Sequence, residues 1–182
     1  PVVHDVEPPA HPVVAIGASA GGLEALEVLT EALDPAIPAA VVVLQHLSPD
    51  YESLMPDLLG RRSRLPVTSV VDGEPCSPGH IYVLPPKSDL ILARGRFVLS
   101  ERLDLRSPSL PIDLFFRSMA EECGDRAIGV VLSGTGSDGA KGVAAIRAAG
   151  GTVYGISRAG RPLGAKPEVV GSWRREGEAN AI

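Results

Sequence analysis

The chain has 182 residues, 45% of them hydrophobic and 21% charged, the proportions of an ordinary globular domain built around one sizeable core. A net charge of -5 argues against nucleic acid as the main partner, because binding a phosphate backbone wants a basic face. No apolar run approaches the roughly 20 residues that span a bilayer, and the opening residues lack the basic and apolar regions of a secretory signal, so a cytoplasmic protein with no membrane insertion is expected.

Residues 1–12, rich in proline, read as a linker. Residues 13–16, "VVAI", form an unbroken apolar run, the mark of a strand buried on both faces. From 23 to 33, Leu26, Leu29 and Leu33 recur at helical spacing, and Asp34-Pro35 ends the helix. A second buried strand is expected over 40–44, then a loop and a short helix within "QHLSPDYESLMPDLLGRR", then a strand over 67–71. Arg94-Gly95 marks a hairpin turn between 90–93 and 97–100, an antiparallel excursion at one edge of a sheet. In "SPSLPIDLFFRSMAEECG", Ile112, Phe115, Phe116, Met119 and Cys123 follow i, i+3, i+4, i+7, i+11, with Pro111 early and Gly124 just past the end. Residues 127–156 then repeat the opening pattern: a buried strand over 127–132, a glycine-rich loop, a helix, Gly-Gly and a further buried strand. Strand and helix alternate, which predicts an α/β fold: a doubly wound, mainly parallel sheet with helices on both faces and a small antiparallel hairpin. Residues 13–156 make this domain, and 157–182 read as an atypical polar tail without regular structure. Cys76 and Cys123 lack metal-ligand spacing and read as two buried thiols.

The loop after the first strand, "GASAGG", invites comparison with a phosphate-binding turn. A dinucleotide fingerprint needs a glycine at its middle position, where Ser19 stands, and an acid at the end of the second strand, where Gln45-His46 stand. No Gly-Lys-Ser/Thr of a Walker loop is present. Read instead as G-x-S-x-G between strand and helix, the same loop mounts Ser19 on a sharp turn at a helix N-terminus. Each polar residue alone also fits a structural role: Ser19 or Asp138 as a helix cap, His46 as a solvated loop residue. Yet Ser19, His46 and Asp138 all follow strands expected to be parallel, so all three emerge on the sheet edge where doubly wound folds bind ligands. That is the arrangement a Ser–His–Asp triad requires, with Ser19 attacking, His46 taking its proton and Asp138 orienting the imidazole. The chain order differs from the Ser, Asp, His of α/β-hydrolases, which disfavours that fold. The loop "SGTGSDG" offers backbone N–H groups for an oxyanion.

Five blocks, "AIGASAGGLEAL", "VVVLQHLSPD", "PGHIYVLPP", "LPIDLFFRSMAEE" and "AIGVVLSGTGSDGAKGVAAIRAAGG", together resemble the catalytic domain of CheB-type chemotaxis protein-glutamate methylesterases. "QHLSPD" and "LPIDLFFRS" look most like the subgroup fused to a CheR-type methyltransferase. The resemblance implies hydrolysis of glutamate methyl esters on the cytoplasmic part of methyl-accepting chemotaxis receptors, and deamidation of receptor glutamines. It implies catalytic Ser19, His46 and Asp138, an oxyanion donor at the main-chain N–H of Thr135, no metal or organic cofactor, and a fused or separate methyltransferase as a partner. The chain departs from the family at Ala20 and Thr135, where many members carry Thr and Met, and in lacking a Gly-Met-Pro-containing segment after the last strand. An alternative reading, a catalytically weakened docking module of a larger chemosensory protein, rests on that tail.

Overall fold

A computed structural model describes residues 7–18, 22–45, 54–102, 110–132, 138–157 and 169–172. Its centre is laid down by the two apolar runs nearest the N-terminus. Val13–Ala18 (β1) and Ala40–Gln45 (β2) lie side by side in parallel, and β2 is buried along its whole length. Around them Val67–Ser69 (β3), Ile81–Val83 (β4), Ala127–Leu132 (β7), Thr152–Ser157 (β8) and Val169–Ser172 (β9) complete a seven-stranded sheet of order β3-β4-β2-β1-β7-β8-β9. Every pairing in it is parallel. A parallel sheet must be covered on both faces, which is why its central strands read as near-continuous apolar runs rather than as an alternation of apolar and polar residues.

The pleat sorts those side chains. Val13, Ala15, Ala40, Val42 and Leu44 point to one face, where they join Phe115, Phe116 and Met119 of helix α3 (Pro111–Cys123) and Ile146 of helix α4 (Ala140–Ala148). Ile16, Ala18, Val41 and Val43 point to the other, against Leu26 of helix α1 (Leu23–Ala32) and Met55 and Leu59 of helix α2 (Met55–Gly60). Helix α3 buries the stripe that its periodicity predicts, and Gly124 follows it at φ 58.

Ser88–Ala93 (β5) and Arg96–Glu101 (β6) form the expected hairpin, turning through Arg94 and Gly95, both at positive φ. The hairpin is a two-stranded sheet of its own, not an extension of the main sheet's edge. It packs against α3 through Leu90, Leu92 and Phe97, and α3 ties it down twice: the Leu92 N–H donates to Ser118 Oγ (3.0 Å) and the Gly95 N–H to Glu122 Oε1 (2.9 Å). Ahead of β1, Pro9 is buried and its carbonyl accepts from Arg126 Nε at 3.0 Å. β9 lies within the stretch where the sequence shows no period, and it extends the sheet beyond β8.

Candidate active site

The carboxyl edge of the sheet is set by register. β2, β1 and β7 are adjacent, Ala18 pairs with Gln45, and Gly17 sits between Leu44 and Val131. Neighbouring strands lie about 4.8 Å apart, so whatever follows Ala18, Gln45 and Leu132 leaves the sheet from three adjacent strands at one level. Ser19, His46 and Thr135 lie outside the described residues; Asp138 lies within them.

Asp138 does not cap the helix that follows it. Helix α4 begins from Gly139 at φ 98 with no side-chain cap. The Asp138 carboxylate reaches across to α3, where Oδ2 accepts the Ile112 N–H (3.0 Å) and Oδ1 the Asp113 N–H (2.8 Å). These are the second and third N–H groups of α3, the ones an N-cap side chain ordinarily satisfies, and Leu110 at that helix's own N-cap offers none. A carboxylate has about four acceptor directions, and the two amides take one on each oxygen. Asp138 is thus held by backbone, with its plane fixed by two converging donors.

The exchange is reciprocal. Asp113, buried at 5% exposure, turns its own carboxylate to α4, where Oδ1 accepts the Gly142 N–H at 2.7 Å. Each helix N-terminus is therefore satisfied by an acid from the other, and each acid lies where the helix dipole favours negative charge. Ile112, between them, seals the corner. A Cβ added to Gly17 would stand 2.6 Å from Ile112 Cγ2, and one added to Gly139 3.0 Å from the same atom. Glycine at 17, the second residue before Ser19, is the space into which Ile112 fits.

Sequence reasoning singled out Asp138 and missed the residues that hold it. Asp113 reads as an ordinary acid in a helix's first turn and Ile112 as one more member of the apolar stripe. The faint signal was an acid two residues after Pro111, on a helix whose N-cap is leucine. The two thiols lie away from this edge. Cys123 ends α3, about 18 Å along the helix axis from its start, and Cys76 sits in the loop before β4. Burial pushes both thiols up to about 12, so neither is a thiolate nucleophile at neutral pH. Among the described residues no group of three or more His, Cys, Asp or Glu side chains could hold a metal ion.

The model of the CheB methylesterase family matches residues 14–160. A protein-glutamate methylesterase/protein-glutamine glutaminase of Xanthomonas oryzae pv. oryzae is 37% identical over 172 residues, covering 87% of this chain and 48% of its own length. One from Myxococcus xanthus is 39% identical over 160 residues, covering 83% of this chain and 44% of its own. The chain thus spans about half the length of the curated relatives it matches. The crystal structure of the CheB methylesterase catalytic domain of Thermotoga maritima superposes with a TM-score of 0.76 at 29% identity, covering 88% of this chain and 87% of that one.

Proposed function

The chain belongs to the CheB methylesterase family, and we propose from that premise that it hydrolyses glutamate γ-methyl esters on methyl-accepting chemotaxis receptors and deamidates receptor glutamines. The observation that carries this is the adjacency of β2, β1 and β7 in parallel, with Asp138 pinned just after β7 at the edge where β1 and β2 end. Ser19 Oγ attacks the side-chain carbonyl carbon while His46 takes its proton, and the backbone N–H of Thr135 steadies the oxyanion. The C–O bond to the methoxy group breaks, His46 returns the proton, and methanol leaves. Water then attacks the acyl-serine by the same route and frees the glutamate. With glutamine the leaving group is ammonia, and the steps are otherwise the same. Asp138 holds the imidazole and stabilises its charged form.

Among the described residues no helix is long and apolar enough to cross a membrane, which is compatible with a cytoplasmic enzyme meeting the cytoplasmic part of its receptors. A methyltransferase, fused or separate, is the activity that would supply the ester.

The test is methanol release from receptor membranes carrying labelled methyl esters. Wild-type protein releases methanol and Ser19→Ala does not. Release unaffected by Ser19→Ala would remove Ser19 from the mechanism, and receptor binding without release by wild type would leave a docking module.

A further inference from the structure

We infer that Asp113 is a positioning residue for this reaction, its carboxylate locking the start of α4 to the start of α3 so that Asp138 is presented in one orientation. The inference rests on the reading of Asp138 as the orienting acid. The Asp138–Gly139 turn has no local side-chain cap, and Gly139 adopts a left-handed conformation that glycine takes without strain but that does not fix its neighbours. Helix α3 braces the turn at several points: Ile112 packs against Gly139, the Ile112 and Asp113 amides grip the Asp138 carboxylate, and Asp113 Oδ1 takes the Gly142 N–H. Of these the last is the polar side-chain function that substitution can remove while the α3 amides and the Ile112 packing stay in place. An acid buried at 5% exposure costs desolvation, and here that cost is met at an α4 amide one turn after Asp138. An orienting acid acts through geometry, and misplacing a catalytic group by about 1 Å costs on the order of a hundredfold in rate.

The experiment uses the full chain and a peptide carrying a glutamate γ-methyl ester, with methanol release followed for wild type, Asp113→Ala, Asp113→Asn, Asp138→Asn and the double variant Asp113→Ala/Asp138→Asn. All are compared at equal folded concentration, read by circular dichroism. Asp113→Ala should lower kcat by about a hundredfold with KM unchanged. Asp113→Asn, whose Oδ1 can still accept the Gly142 N–H, should recover most of the loss. The double variant should be no slower than Asp138→Asn alone, because both act through one group. If Asp113→Ala does not fold, Asp113→Glu takes its place, since it keeps the charge and shifts the acceptor by one methylene; the same kcat loss is expected. A folded Asp113→Ala or Asp113→Glu with wild-type kcat, a loss confined to KM, or a double variant slower by the product of the single losses would overturn the inference while leaving the triad intact. Full activity in Asp138→Asn would overturn the triad reading itself, and the positioning role with it.

Discussion

At the scale of single residues, the corner between β1, α3 and α4 is governed by one isoleucine. Ile112 fills the space left by the absent side chain at Gly17, so a methyl group there would overlap Ile112 Cγ2. Overpacking of this kind costs about 1–3 kcal/mol. Gly17→Ala should accordingly lower the thermal midpoint by several degrees, and Ile112→Ala, itself destabilising, should absorb part of that loss when the two are combined. A strictly additive pair in thermal denaturation would show that the contact is not what constrains position 17. The sequence marks Ser19 as a candidate because it replaces a glycine that a phosphate turn needs, and His46 because it stands where an acid would hold a ribose; both lie outside the described residues. Asp138 was legible as an acid before a helix, but not as the cap of a different helix 25 residues upstream. Asp113 gave no such signal, because its role depends on burial and on a partner 29 positions away, and local spacing encodes neither.

Helix α3 is the element on which the rest converge. Its apolar stripe closes one face of the sheet, the amides of its first turn hold Asp138, and Ser118 and Glu122 hold the hairpin along its length. Its partner α4 approaches closely enough that a Cβ on Gly142 would fall within van der Waals contact of Phe116 Cβ, on a side chain with no exposure. Two effects then oppose each other in Gly142→Ala. Helix propensity favours alanine by about 1 kcal/mol, whereas forcing a methyl against a fully buried ring costs about 1–3 kcal/mol. Packing should win, and the variant should melt below wild type; a higher midpoint would mean that α4 can slide. The length and ends of α3 were readable from its period and from Pro111 and Gly124. The hairpin was readable from its turn, although its separation from the main sheet was not. Hairpin signals are local, and which surface a hairpin covers is decided by α3. β9 carried no period, because four residues in a polar stretch are too few to show one.

For the whole molecule, an all-parallel sheet means long crossovers and two buried faces, and the two free cysteines are sealed on one of them. Their thiols titrate near 12 in the folded chain, raised from an ordinary 9.0 first of all by burial. A raised folded value favours the native state while the thiols stay protonated in both states. Above about pH 9 the unfolded chain ionises and the folded chain does not, so stability should decline from there toward pH 12. Denaturation midpoints measured at pH 7, 9 and 10.5 should fall across the last interval, and Cys76→Ala with Cys123→Ala should flatten that slope; an unchanged slope would assign the decline to other groups. The alternation of apolar runs and helical periods made the architecture readable, since each central strand is long enough to announce its own burial. The reciprocal bracing of α3 and α4 also decides how an inert form of the protein ought to be made. Removing the Asp138 carboxylate would deprive α3 of a cap, at about 0.5–2 kcal/mol, so silence from such a variant would confound lost chemistry with a loosened scaffold. Under the proposed mechanism, a decoy for trapping bound substrate is better made at the nucleophile Ser19 than at Asp138, whose carboxylate also serves as the cap of α3.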